Sequence, residues 1–248
     1  SSSRGHRGRQ QTINSLLTRM TVPEERRTIA GQCWMVFSPP KPGCRRCPRL
    51  VALRHKCRID FPAWHNAPVD SMGALDARIL IIGLAPGLRG ANRTGRPFTG
   101  DGAGGYLFDM LARFELASGT YDADADDDIT LHDVRITNAV RCLPPDNKPV
   151  ASELANCRFF LGREIKAMHR LETIFAIGKQ AHDAALHCLG EKLSARPFRH
   201  GGEHNVTNEG SRLRLVSSYH CSRYNTQTGR LTDAMFADVM QQLVAGKA

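Results

Sequence analysis

The chain has 248 residues, 41% hydrophobic and 23% charged, with 34 Lys and Arg against 24 Asp and Glu. That length supports one large domain or two small ones with a substantial core, and no apolar run approaches the roughly 20 residues of a membrane-spanning helix. The net charge of +10 favours an acidic partner, nucleic acid above all, although an Arg-rich genome can produce the same excess.

Residues 1–30 are polar and rich in Arg, Gln and Thr, without the apolar stretch of an export signal. They are expected to form a flexible basic tail, with residues 31–248 as a single domain and the protein in the cytoplasm. The stretch up to residue 77 reads as an irregular, proline-punctuated lead-in. Eight cysteines without an export signal point away from disulfides and leave metal binding, catalysis or burial. Cys44-Arg-Arg-Cys47 has the Cys-x2-Cys spacing that one tight turn can aim at a metal centre. Cys142 and Cys157, with fourteen residues between them, complete a four-ligand set only if the fold brings the two pairs together. Spacing alone leaves zinc and an iron–sulfur cluster open. Cys33, Cys57 and Cys188 read as packing residues.

From residue 78 onward, short β-rich runs alternate with helical patterns. Residues 78–84, 134–140, 173–178 and 213–219 are apolar, β-branched and bounded by Gly, Pro or Asn, as strands are. Residues 104–117, 150–169, 179–189 and 232–244 repeat apolar positions at helical spacing. Such alternation predicts a parallel sheet with helices on both faces and a ligand site at the carboxyl ends of its strands. The loops 84–104, 141–149 and 220–230 should therefore open on one crevice. The acidic run YDADADDD at 121–128 reads as a solvated turn without function.

The first loop contains Gly90-Ala-Asn-Arg-Thr-Gly95, which has the glycine spacing of a phosphate-binding P-loop. Arg96-Pro97 stands where the P-loop needs Lys and Ser or Thr, and proline removes a backbone donor. A nucleoside triphosphate role is thereby excluded. Phe98 could stack on a base and Asp101 could act as base or electrostatic stabiliser; equally, Phe98 could be a buried anchor and Asp101 a helix cap. In the third loop His220 stands at a strand's carboxyl end as a candidate electrophile or general acid, with Asn225 and Thr226 as neutral hydrogen-bonding groups.

The segments GLAPGLRGANRTGRPFTGD, NAVRCLPPDNKP and HCSRYNTQTGRLT resemble the signature loops of the family 5 uracil-DNA glycosylases, over roughly residues 40–245. The resemblance implies a three-layer α/β/α fold around a four-stranded parallel sheet. It also implies a structural [4Fe–4S] cluster on Cys44, Cys47, Cys142 and Cys157, and a monomer acting on DNA that contains uracil or other deaminated bases such as hypoxanthine. On that reading Asp101, His220 and Asn225 are catalytic, while Gly83, Leu84, Ala85, Pro86, Gly87, Phe98 and Asn138 take the flipped base. Arg93, Arg96, Ser222, Arg223 and Arg230 would contact DNA.

This chain departs from the family at two places. Cys221 replaces the proline of a common His-Pro-Ser triplet, which suggests a thiol nucleophile that glycosidic cleavage does not need. Leu84 stands where other branches of the superfamily often place a polar, water-activating residue, leaving Asp101 as the available carboxylate. Two other readings are a non-catalytic iron–sulfur protein that binds damaged nucleic acid and a zinc deaminase. The deaminase requires a His-x-Glu with Pro-Cys-x-x-Cys, which the chain lacks.

Overall fold

The computed structural model describes residues 27–29, 32–34 and 37–245; the tail expected over 1–30 lies outside them apart from 27–29. Strands β1 (Arg27–Ile29) and β2 (Gln32–Trp34) pair antiparallel in the unit Ser1–Val36, and Phe37–Ala248 forms a second compact unit.

The expected strands and helices of this second unit all form. They are β3 (Ile79–Gly83), α3 (Gly102–Arg113), β6 (Val134–Asn138), α4 (Ala151–Ala167), β7 (Thr173–Ile177), α5 (Lys179–Leu189), β9 (Ser211–Ser218) and α7 (Asp233–Ala245). The core strands are apolar throughout because both sheet faces are covered. Ile79 and Ile81 pack with Leu107, Leu111 and Phe236 of α3 and α7. Leu80 and Ile82 point the other way, onto Leu161, Ile165 and Leu186 of α4 and α5. That two-residue alternation produces the α/β/α layering.

The sheet has five strands in the order β6-β3-β7-β9-β8, one more than expected. The four anticipated strands are parallel, and β8 (Gly202–Asn208) joins β9 antiparallel at the edge. Only Val206 of β8 is buried, so its sequence carries no apolar run. Its clearest signal is the turn at Glu209 and Gly210, both at positive φ (48° and 90°), as a tight hairpin requires.

The lead-in also holds a helix, α1 (Pro48–Asp60). Its buried stripe is Leu50, Arg54 and Cys57, helical in spacing but masked by the arginine at its centre. Pro48 occupies the first turn, where its missing N–H is not needed. Shorter features of the unit include helix α2 (Ala91–Thr94), the ribbon of β4 (Ala117–Ser118) with β5 (Thr130–Leu131), and helix α6 (Arg223–Gln227).

Strand β3 lies between β6 and β7, so the chain leaves it first to one side and later reaches the other. Crevices form at the carboxyl ends of strands where connections diverge in this way.

Candidate active site

The end of β3 meets the end of β6 in register, Gly83 opposite Asn138. A methyl group on Gly83 would lie 2.5 Å from Asn138 Oδ1 and 2.7 Å from Phe98 Cε2. The missing side chain therefore makes room for two groups of this chain, rather than for a substrate as the glycine-rich pattern suggests. Gly90 similarly clears Asp101, whose Oδ2 would lie 2.6 Å from an added Cβ. At Gly104 the obstacle would be the Phe98 carbonyl.

Phe98 has φ of 53°, a left-handed conformation costing roughly 1–2 kcal/mol for a residue with a Cβ. The acidic loop holds it there. Tyr121 Oη donates to the Phe98 carbonyl at 3.4 Å and accepts from Gly100 N at 3.1 Å. Asp127 receives both terminal nitrogens of Arg96, at 2.5 and 2.6 Å, and Arg93 Nη2 donates to the Ala123 carbonyl at 3.2 Å. The 121–128 segment is therefore a brace for the glycine-rich loop, not a functionless solvated turn. Arg96 is buried in that brace, which corrects its assignment to DNA phosphates.

Asp101 caps α3: its Oδ1 accepts from Ala103 N and Gly104 N at 3.1 and 3.2 Å. Its side chain also lines the crevice, so capping and facing the site are combined in one carboxylate. His220 follows β9, and its ring centroid lies 6.2 Å from that of Phe98. Burial pushes the imidazole pKa below its ordinary value, with Asp101 pulling the other way. A neutral ring results, able to donate one hydrogen bond. Phe98, Asp101, Asn138 and His220 share one crevice with Leu84, Ala85, Pro86 and Gly87. One crevice thus joins a flat aromatic face, a neutral amide, a neutral imidazole and a carboxylate.

The model of the uracil DNA glycosylase superfamily matches residues 71–244. A type-5 uracil-DNA glycosylase of Thermus thermophilus is 44% identical over 205 residues, 80% of this chain and 91% of the relative. The type-5 enzyme of Pyrobaculum aerophilum is 39% identical across 82% of this chain and 88% of its own length. A type-4 uracil-DNA glycosylase of Archaeoglobus fulgidus is 28% identical over 71% of this chain and 75% of its own. The chain belongs to the uracil-DNA glycosylase superfamily, in its type-5 family.

Within this glycosylase family member the remaining expected site residues surround the crevice without lining it. Asn225 sits behind His220, its Nδ2 donating to the His220 carbonyl at 2.8 Å, and so sets where the imidazole stands. Ser222 Oγ accepts from Asn225 N at 3.4 Å and caps α6. Arg223 is exposed and lies over the first turn of α3, near Gly102; Arg230 is exposed and stacks on Tyr219 at 5.0 Å. Cys221 is buried beneath the loop, donating to the Ala103 carbonyl, and burial pushes its thiol up to about 12. It is a packing residue with no thiolate to offer the site.

Four groups are not evident from the sequence. Ala91 and Ala103 line the crevice, and Asp127 steadies it from a distance. Tyr224 is 71% exposed on α6; an unburied tyrosine four residues past His220 was its available signal.

Cys44, Cys47, Cys142 and Cys157 line a second cavity. Arg54 Nη1 points at Cys142 Sγ and Asn156 Nδ2 at Cys47 Sγ, both at 3.6 Å, and Arg141 N lies 3.3 Å from Cys157 Sγ. Among the described residues no three Cys, His, Asp or Glu converge closely enough to hold a single metal ion. Ala85 packs against this cluster and also lines the crevice. No described helix is long and apolar enough to cross a membrane.

Proposed function

We propose that this protein excises uracil from DNA by hydrolysing the N-glycosidic bond and leaving an abasic site. The observation that carries the reading is the convergence of Phe98, Asn138, Asp101 and His220 on one crevice, in a chain 44% identical to a type-5 uracil-DNA glycosylase. A base inside a duplex is out of reach, so the nucleotide is flipped into the pocket. Phe98 stacks on it. The Asn138 amide, which both donates and accepts, pairs with the base edge. Tyr224, exposed on α6, is the candidate to occupy the gap left in the stack, as inserted side chains do elsewhere.

As the bond from C1′ to the base breaks, its electron pair leaves with the uracil and positive charge grows on the sugar. His220 donates a hydrogen bond to the uracil carbonyl that becomes negative, an electrostatic role of the oxyanion-hole kind. Asp101 faces the sugar and orients the attacking water. Water oxygen bonds to C1′, its proton passes to Asp101 or to solvent, and the uracil anion is protonated from solvent. Asn225 positions His220. Arg93, Ser222, Arg223 and Arg230 are the candidate phosphate contacts. Two glycines act indirectly: Gly83 lets Asn138 and Phe98 approach each other, and Gly90 makes room for Asp101. No charged group selects the base, so hypoxanthine and related deaminated bases also enter.

The four cysteines are proposed to hold a [4Fe–4S] cluster. The four sulfurs line one shared cavity, and Arg54, Asn156 and the Arg141 N–H lie where they can donate to such sulfurs. The cluster would tie the start of α1 to β6 and α4 and support the crevice wall through Ala85, in a reducing compartment such as the cytoplasm, within a monomer.

The test is single-turnover cleavage of duplexes carrying uracil, hypoxanthine, xanthine or a thymine mispair, followed by alkali. Strand scission at uracil supports the reading; binding without scission at any base would point to the non-catalytic damage-binding alternative. Iron and acid-labile sulfide in a brown protein support the cluster, and stoichiometric zinc in native material would refute it.

A further inference from the structure

The guanidinium of Arg46 lies 4.5 Å from the Phe159 ring centroid and 5.3 Å from that of Phe160. Arg163 stands over the same Phe159 ring at 5.3 Å, and the two phenyl rings meet edge to face at 5.3 Å. Phe159 nevertheless remains 46% exposed, and Arg45 and Arg46 are exposed with it. An aromatic contact occupies the flat face of a guanidinium and leaves its in-plane N–H donors directed outward. Among the described residues neither the Arg45 nor the Arg46 side chain has a hydrogen bond or ion pair; the one hydrogen bond to Arg46 there is from Asn156 to its backbone carbonyl. Two other cations, on α1 and α4, are paired: Arg49 with Glu153 at 2.8 Å and Lys166 with Glu209 at 2.6 Å.

The ridge and the crevice are linked through one apolar cluster. Cys47, Phe160 and Ala85 all pack against Leu50, Val140 and Cys157, and Ala85 also lines the crevice. A duplex that presents a flipped nucleotide to the crevice carries phosphates on either side of it. Planar guanidinium forks match phosphate oxygens two at a time.

We propose that Arg45 and Arg46, the latter held by Phe159, form a second phosphate-binding ridge that grips duplex DNA flanking the lesion. The inference rests on the glycosylase reading and adds a binding surface outside its signature loops.

The experiment measures affinity against salt for two duplexes bearing one non-cleavable fluoro-arabino uridine. One duplex just fills the crevice, and the other extends a helical turn to each side. On the longer duplex Arg45→Gln and Arg46→Gln should each weaken binding several-fold and reduce the log–log salt slope by about 0.9 for each phosphate no longer neutralised. On the shorter one they should match the parent. Arg212→Gln, an exposed cation on β9, is the charge control and should leave both slopes unchanged. Because Arg46 lines the cysteine cavity, thermal midpoints are measured alongside; if Arg46→Gln destabilises the protein, Arg45→Gln alone decides. Parent-like slopes on the long duplex overturn the ridge and would leave an acidic protein surface as the partner to test. An equal loss from Arg212→Gln overturns it as well. Parent protein that fails to release uracil from a cleavable duplex refutes the glycosylase reading instead, which keeps the two failures distinct.

Discussion

Arg96 and Asp127 form a two-pronged ion pair across 31 positions of sequence, with side chains only 9% and 2% exposed. The arginine belongs to the loop that carries Phe98, and the aspartate to the acidic segment that braces it. Removing one partner of a buried pair typically costs about 3–5 kcal/mol, because the other charge is left out of water and uncompensated. Asp127→Asn should therefore lower the thermal midpoint sharply and slow uracil excision by releasing the strained Phe98 backbone. Asp124→Asn, at an exposed position of the same segment, should change stability by no more than about 0.5 kcal/mol. Equal effects at the two positions would refute the brace.

That pair also marks the limit of what the residues reveal unaided. Strands β3, β6, β7 and β9 are legible because burial on both faces makes them continuously apolar. His220, Asp101 and Asn138 are legible because they stand at strand ends or in loops that such a sheet must gather. Asp127 is not: in a run of five aspartates within YDADADDD, nothing local distinguishes the buried one from its solvated neighbours. The misreading of Arg96 as a phosphate ligand has the same cause, a partner distant in sequence. Strand β8 and helix α1 escape for a different reason, since each buries too few apolar side chains to leave a period.

Asp101 carries two tasks on one carboxylate, and substitution can separate them. Asparagine is as good a helix cap as aspartate, so Asp101→Asn should keep α3 and the fold while removing the charge proposed to face the sugar. The single-turnover rate should then fall with the thermal midpoint nearly unchanged. His220→Ala removes the proposed donor to the leaving base, and loss of one such donor typically lowers the rate by about 10²–10³. Asn225→Ala should lower the rate by less, because the imidazole remains and only its anchor is removed. Full activity in both Asp101→Asn and His220→Ala would sink the mechanism.

Gly83 admits Asn138 and Phe98 to the same space, with an added Cβ 2.5 and 2.7 Å from their nearest atoms. Gly83→Ala should displace the Asn138 amide and the Phe98 ring, the proposed base-reading and stacking groups, together. The expected result is weaker binding of uracil-containing duplex and slower excision, with retained secondary structure by circular dichroism. Gly43→Ala is the control, since nothing lies within 4 Å of its added Cβ, and its activity should match that of the parent.

Acid should destabilise the protein in two stages. Burial holds His182, His200 and His220 below their ordinary value of 6.5, so below that pH the unfolded chain binds more protons than the native one. Stability is therefore complete above pH 6.5 and declines as pH falls toward the native-state pKa values. Asp127 is lowered chiefly by its hydrogen bonds from Arg96. Glu164 is lowered although its burial acts in the opposite sense, because Arg141 and Arg135 outweigh it. Stability from these two carboxylates is present above their ordinary values of 3.8 and 4.5 and is lost as pH falls through the native ones. Thermal midpoints from pH 8 to 3 should be level at first, slope downward below 6.5 and fall more steeply in the carboxylate range. In Asp127→Asn the last fall should shrink, and a midpoint constant down to pH 4.5 would contradict the burial of the three histidines as neutral rings.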